Sequence, residues 1–339
     1  MKKPIIFCIF LFIVSLISSR GQGFLQLNNE RDLETRLWTG IYRTDNGNVY
    51  TIGPNANLEG VIINGRGAEW ENINLEGANL KNARIEGLTF KKCNFENANF
   101  EGARITNTIF TETPDEFQIW RSFRGANFTG ARFDRTSFAN LDLSGVNFNN
   151  ALLSVDSRLL NLNLSGADFN SAIFDNMRLS GCNFSNANLT NASFGRNLFS
   201  KAYGSLSFNG ANLTNADLRK LFLFQELDET SLDRHNLRNI VGVPAALPSG
   251  YIMTNNIIMG PHLNLEGVDL TDINFAEDYP EFVSLEKSSL KNANLSGSNL
   301  SGFNLRSTGF SGTNLTGTNL SGADLSDGIF FPSDLTNTN

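Results

Sequence analysis

An apolar residue recurs at every fifth position over most of this 339-residue chain. The period matches neither an α-helix, whose side chains return to one face after about 3.6 residues, nor a flat strand, whose side chains alternate. We therefore expect five residues to form one side of a coil, with the apolar residue pointing inward and stacking on its equivalent in the next coil. The positions expected to form this structural core include Leu75, Leu80, Phe90, Phe95, Phe100, Phe169, Phe184, Leu295 and Leu300.

A small residue lies two positions before most of these apolar residues, and Asn or Asp usually lies between the two. Ala78 precedes Leu80 in this way, and Ala98 precedes Phe100. A narrow coil has room for one large side chain on each side, so the second inward position must be small. Residues 210–218 show the pattern most clearly and read Gly-Ala-Asn-Leu-Thr-Asn-Ala-Asp-Leu.

This motif resembles the signature of the pentapeptide-repeat family, and the resemblance covers most of residues 54–339. The fold that it implies is all-β, a right-handed quadrilateral β-helix in which each pentapeptide is one side of a square coil. In that family the central Leu or Phe and the small residue two positions earlier point inward. The periodicity of the residues leads to the same architecture.

The first break in the period covers residues 111–122, which we expect to leave the coil as a loop. Its Phe117 and Trp120 are candidate interaction residues, because exposed aromatic side chains often anchor protein interfaces. The alternative is that the loop folds back over the coil, since large apolar side chains are usually buried.

The second break, residues 224–259, is interpreted as a junction. It separates a first β-helix, residues 54–223, from a second, residues 260–339. Two similar lead-in segments support this division, because residues 53–61 and 260–268 share seven of nine residues. Two arrangements stay open: the arrays form separate β-helices, or the second stacks on the first and covers its open edge.

The N-terminus is predicted to be a signal peptide, residues 1–21. Two lysines precede an apolar run over residues 5–17, which is shorter than the roughly 20 residues of a membrane-spanning helix. An uncleaved N-terminal anchor is the alternative. Residues 22–53 are expected to form an N-terminal cap and lead-in, with a short capping helix over residues 28–38.

The charge of the chain is acidic. Removal of the signal peptide would take away three of the 27 basic residues and none of the 34 acidic ones, so the formal charge would change from −7 to −10. An acidic surface disfavours binding to DNA or to anionic lipid. We therefore expect no direct nucleic-acid binding and no integral membrane insertion after signal cleavage.

Residue types that carry out catalysis are sparse. The chain has two histidines, His235 and His262, and neither lies at a metal-ligand spacing. Cys93 and Cys182 each lie two positions before a core Phe, and at strand spacing they would stand about 20 Å apart, beyond the reach of a disulfide. We expect no catalytic, cofactor-binding or metal-binding residues, no cofactor and no enzymatic activity.

These features predict an exported, non-enzymatic structural or protein-interaction module. It would present an acidic β-helical surface to an unknown protein partner, in the periplasm of a bacterium or outside the cell. The resemblance also implies an alternative, because some members of the family mimic duplex DNA, bind type II topoisomerases and protect them from quinolones. The acidity fits that role, whereas a signal peptide would separate the chain from cytoplasmic topoisomerases.

Overall fold

The computed structural model describes residues 24–28, 37–44, 46–112, 123–154, 156–195, 206–218, 236–247, 250–282 and 284–339. Most of these residues wind into a right-handed quadrilateral β-helix, which confirms the predicted fold class. The predicted signal peptide lies outside the described residues. The predicted capping helix also lies outside them, apart from the two ends of its segment.

An antiparallel sheet of three short strands precedes the β-helix. The strands are β1 (Phe24–Leu27), β2 (Gly40–Arg43) and β3 (Val49–Ile52). Two contacts join this region to the first coil. Trp38 pairs with Ile73 in a parallel bridge, and the ring of Tyr42 packs edge-on against Trp70 with centroids 5.7 Å apart. The N-terminal sheet therefore extends the core of the β-helix.

Two adjacent sides of the square coil, faces 1 and 2, form parallel β-sheet. The strands β4 (Ile62–Glu71) and β5 (Arg84–Lys91) run along both faces and round the corner between them. Later coils have a separate short strand on each face. Face 1 continues through β6 (Arg104–Thr106), β8 (Arg132–Asp134), β10 (Leu152–Ser154), β12 (Ile173–Phe174) and β14 (Ser193–Phe194). Face 2 continues through β7 (Ile109–Thr111), β9 (Ser137–Ala139), β11 (Arg158–Leu160) and β13 (Arg178–Ser180).

The other two sides, faces 3 and 4, are successions of tight turns that single parallel bridges join from coil to coil. Their corners need a positive φ, which glycine and asparagine adopt at the lowest cost. Asn82 and Gly102 hold equivalent corners in successive coils, with φ of 58° and 64°. At Gly125, φ is 70° and a Cβ would overlap the Asn97 side chain of the preceding coil. The Gly and Asn of the repeat therefore mark the corners.

The interior of the coil is a stack of large apolar side chains. Phe100, Phe128, Phe148 and Phe169 form one column, in which the centroids of successive rings lie 4.6, 5.0 and 4.8 Å apart. These distances match the strand spacing of about 4.8 Å, because each ring repeats from one coil to the next. Burial of each such side chain contributes about 1.5–3 kcal/mol. Each of the following exposes 2% or less of its surface: Leu75, Leu80, Phe90, Phe95, Phe100, Phe169, Phe184, Leu295 and Leu300.

The second array continues the square coil with leucine in place of most phenylalanines. The step from Asn299 to its partner Asn319 in the next coil is the regular 20 residues. The step from Asn274 to Asn299 is 25 residues, because a short helix, α1 (Phe275–Asp278), lengthens the side that contains Pro280. This helix is the only one among the residues that the structure describes.

A further coil, residues 236–247, lies on the end of the first array, within the stretch predicted to be the junction. Parallel bridges join it to residues 207–217. A β-hairpin follows, formed by β15 (Ile252–Thr254) and β16 (Ile257–Met259). Ile258 N donates to Leu237 O at 3.0 Å, which connects the hairpin to that coil. The buried apolar side chains of both arrays belong to one continuous cluster. The boundaries of the predicted segments stay a prediction.

Candidate interaction surface

Polar side chains of faces 3 and 4 hold the coils together. Asn127 Nδ2 donates to Asn99 Oδ1 at 3.1 Å, and Asn188 Nδ2 donates to Asp168 Oδ1 at 2.8 Å. The side-chain oxygen also accepts a backbone N–H two positions further on, as Thr129 N–H donates to Asn127. Because their donors and acceptors are engaged within the fold, these columns are poor candidates for ligand recognition.

Faces 1 and 2 carry a different feature, one outward arginine in each of five successive coils. Arg84, Arg104 and Arg132 pair in register on β5, β6 and β8 of face 1. Arg158 and Arg178 pair in register on β11 and β13 of face 2, in the next two coils. All five side chains are exposed. We refer to these five residues as the arginine ladder.

Acidic side chains lie close to the arginine ladder without neutralising it. Glu86 and Asp134 occupy the neighbouring outward column, two positions along the strands that carry Arg84 and Arg132. Asp134 Oδ1 accepts the hydroxyl of Ser154 at 2.7 Å. Within the described ranges, no arginine of the ladder forms an ion pair. The ladder therefore retains its guanidinium donors for solvent or a partner.

The described surface includes two clefts near charged side chains. The first, about 520 Å³ in volume, follows the corner where β4 and β5 bend, and Arg66 and Glu86 are among its lining residues. The second, about 500 Å³, separates the coil at residues 236–247 from the second array and is lined in part by Arg238 and Asp269. Neither cleft gathers metal ligands, because no group of three His, Cys, Asp or Glu among the described residues could hold an ion.

The interaction residues and histidines singled out from the sequence do not come together in one site of the described structure. The candidate interaction residues Phe117 and Trp120 lie outside the described residues, and His235 does so too. His262 holds a corner of the second array with φ of 60°. In the part of the chain that the structure describes, no helix is long and apolar enough to cross a membrane.

The two described cysteines are buried free thiols. Cys93 Sγ donates to Trp70 O at 3.1 Å, and Cys182 Sγ donates to Leu159 O at 3.3 Å. Burial raises the pKa of both thiols from the ordinary value of 9.0 to about 12. A thiol must ionise to act as a nucleophile, so both side chains are unreactive in the folded chain.

We expect the folded protein, prepared without residues 1–21, to react with Ellman's reagent at pH 8 at less than about a hundredth of the rate of the guanidinium-unfolded protein. The reason is that both thiols are buried and remain protonated. The measurement is the rate of absorbance increase in each state. Release of one thiol equivalent from the folded protein at the rate of the unfolded one would contradict the burial of Cys93 or Cys182.

The same pKa values predict how stability depends on pH. The unfolded chain loses its thiol protons near pH 9.0, whereas the folded chain keeps them up to about 12. The contribution of the thiols is therefore complete below pH 9 and is lost as the pH rises above it. We expect the free energy of unfolding to fall over this range in the parent protein and to fall less in a Cys93→Ala, Cys182→Ala variant.

The arginine ladder is not apparent in the sequence, because insertions hide its register. Arg104 follows Arg84 after 20 residues, but Arg132 follows Arg104 after 28. The available signal is the position within the repeat: each of these arginines directly precedes a central apolar residue, as Arg104 precedes Ile105. Alignment of successive coils on their central residues would bring Arg84, Arg104 and Arg132 into one column and Arg158 and Arg178 into the next.

Comparison with known families gives four matching stretches. A model for pentapeptide repeats with eight copies matches residues 122–154, 157–200 and 288–327. A second model for pentapeptide repeats, with nine copies, matches residues 71–114. No protein among the curated sequences matches the chain.

Several solved structures resemble this chain. HetL, a pentapeptide repeat protein involved in heterocyst differentiation regulation from the cyanobacterium Nostoc sp., is 19% identical with a TM-score of 0.22, and the match covers 79% of this chain and 90% of HetL. Trypsin-treated QnrB1, a plasmid-mediated fluoroquinolone resistance protein, is 18% identical with a TM-score of 0.22. The match covers 80% of this chain and 87% of QnrB1. A pentapeptide repeat protein from the Arabidopsis thaliana thylakoid lumen is 19% identical with a TM-score of 0.15. The match covers 49% of this chain and 74% of that protein.

Proposed function

Because this chain belongs to the pentapeptide-repeat family, we propose that it is an exported, non-enzymatic module that binds a protein partner through its outer surface. The observation that carries the proposal is a difference between faces. Between residues 62 and 194, side chains of faces 3 and 4 hydrogen-bond from coil to coil, whereas faces 1 and 2 expose the arginine ladder and three isoleucines. Ile62, Ile109 and Ile173 expose 57%, 42% and 45% of their surface. Arginine and apolar side chains together are typical of protein interfaces.

The interior supports a binding role over a catalytic one. Inward positions are filled by stacked apolar side chains and small residues, which leaves the outer faces as the surface for function. The raised pKa of Cys93 and Cys182 is opposite to the shift that activates a nucleophile. An in-register parallel sheet also presents a rigid surface, which lowers the entropy lost on binding.

Export rests on the apolar run at residues 5–17 and on the cleavage expected before Gln22. We expect fractionation of cells that express the full chain to place the protein in the periplasm or the medium. N-terminal sequencing of that fraction should begin at Gln22. Recovery of the uncleaved chain from the cytoplasm alone would overturn this part of the proposal.

The partner is sought with purified protein as bait in a periplasmic extract. A retained protein counts as a partner when its purified form binds the bait saturably and at a defined stoichiometry. A second bait with Phe117→Ala and Trp120→Ala tests whether the segment at residues 111–122 contributes. Absence of any protein that binds saturably to the first bait would sink the proposal.

A supercoiling assay with purified gyrase distinguishes the proposed protein-binding role from the alternative, DNA mimicry. A mimic of duplex DNA needs a continuous negative surface, and the arginine ladder interrupts the negative charge on faces 1 and 2. We therefore expect neither inhibition nor quinolone protection at micromolar concentrations. Inhibition that acidic variants such as Arg104→Glu strengthen would favour mimicry instead.

A further inference from the structure

The arginine ladder has no evident role in stability. Like charges that lie directly opposite one another on neighbouring strands destabilise a sheet. The column that holds Arg84, Arg104 and Arg132 continues in later coils with Leu152 and Ile173, so the fold accepts uncharged side chains at this position. The repulsion therefore points to a function in binding.

The dimensions of the ladder indicate the shape of its ligand. Its five arginines occupy five successive coils, which places the first and last about 19 Å apart along the axis at a strand spacing of about 4.8 Å, and the step from Arg132 to Arg158 also crosses the corner from face 1 to face 2. A single small anion would engage only one or two of these side chains. An extended peptide rises about 3.3 Å per residue, so about six residues would cover the axial distance alone, and the crossing between the two faces requires more; alternate residues of such a peptide could carry carboxylates.

The neighbouring charges limit how wide the ligand can be. Glu86 and Asp134 lie in the next outward column of face 1, and the whole chain carries a formal charge of −7. A duplex nucleic acid is broad and densely charged, so it would meet this negative field. A narrow acidic segment would meet fewer of these carboxylates than a duplex would. Glu86 and Asp134 lie about 6.6 Å along the strand from Arg84 and Arg132, inside the screening length of about 8 Å, so they favour a segment that lies on the other side of the arginine column.

We propose that the arginine ladder, Arg84, Arg104, Arg132, Arg158 and Arg178, is the docking surface for an extended acidic segment of a protein partner. The inference rests on the proposed function and gives that partner a chemical class. Each guanidinium presents a planar set of donors that matches a carboxylate and bonds it in a bidentate manner. Arg135, at the corner between β8 and β9, adds positive charge where the ladder passes from face 1 to face 2.

The test measures fluorescence anisotropy of a labelled peptide that alternates Glu and Thr over about eight residues, enough to span the ladder. The key variant carries Arg84→Gln, Arg104→Gln and Arg132→Gln, which keep most of the side-chain length. A matched control removes three positive charges elsewhere through Arg124→Gln, Lys291→Gln and Arg306→Gln. Circular dichroism verifies folding, and relief of the repulsion should leave the melting temperature of the key variant no lower than that of the parent.

We expect the key variant to bind the peptide at least about tenfold more weakly, and the control to change affinity less than about twofold. A single Arg104→Lys change keeps the charge but loses the planar fork, so it should weaken binding by about threefold with little risk to folding. Equal affinity of the parent and the key variant, or absence of peptide binding by the parent, would overturn the inference. Tighter ladder-dependent binding of duplex DNA than of the peptide would also overturn it.

Failure of this inference is distinguishable from failure of the proposed function. A partner that binds the parent and the key variant equally would leave the interaction module in place and remove the ladder as its docking surface. Ladder-dependent peptide binding without any saturable partner in the extract would support the site and count against the proposed function.

Discussion

Replacing Phe148 with alanine is expected to lower the free energy of unfolding by about 3–5 kcal/mol. The ring is buried and stacks on Phe128 and Phe169, with centroids 5.0 and 4.8 Å away and planes within 8° and 3° of parallel. Its removal leaves a cavity in the middle of the column, and neighbouring coils cannot close the gap without losing their own register. Urea unfolding followed by far-UV circular dichroism measures the change.

The matched control is Phe331→Ala. Phe331 is 86% exposed, so its loss should change the free energy of unfolding by less than about 0.5 kcal/mol. Equal effects of the two substitutions would show that Phe148 is not packed inside the coil. They would also refute the inward assignment of the central residue in this repeat.

The second large effect is expected at Tyr251, which directly precedes the hairpin and packs where the chain leaves the hairpin for the second array. Its ring is buried against Gly260, at which a Cβ would overlap the ring, and its hydroxyl donates to Pro261 O at 2.9 Å. Burial also raises the pKa of this phenol. Tyr251→Ala should lower the free energy of unfolding by about 3–5 kcal/mol, because it removes both the packing and the hydrogen bond.

Tyr251→Phe separates these two contributions. It keeps the ring and should lower the free energy of unfolding by only about 0.5–1.5 kcal/mol. Limited proteolysis provides a second measurement, since loosening of this contact should expose residues 236–259 to cleavage in Tyr251→Ala but not in Tyr251→Phe. Similar losses of stability in both variants would mean that the hydrogen bond, rather than packing, holds this turn.

The period of five predicts the fold because it states which side chains point inward. At positions such as Leu80 and Phe100, the large side chain and the small residue two positions before it must both point into the narrow coil. The predicted β-helix is confirmed. Breaks in the period are visible as well, as at Pro280. The conformation that fills a break is not, because α1 depends on local packing of Phe275 against Phe303 in the next coil.

The arginine ladder is harder to predict from the sequence than the fold, because it depends on which residues of different coils become neighbours. Arg132 and Arg158 are 26 positions apart in a chain whose regular coil has 20 residues, and they lie on different faces. Their grouping requires the lengths of the insertions and the position of each corner. The aromatic residues Phe117 and Trp120 are conspicuous in the sequence because they interrupt the repeat, and their role stays a prediction.

Photo-crosslinking in the producing cell tests most directly whether the protein works by presenting faces 1 and 2 to a partner. A photoreactive amino acid replaces Thr106 on face 1 in one variant and Ser144 on the opposite face 3 in another, and both positions are half-buried. We predict that the Thr106 variant traps one protein, at an acidic segment, whereas the Ser144 variant traps none. Equal trapping at both positions, or trapping at Ser144 alone, would contradict this assignment of the binding surface.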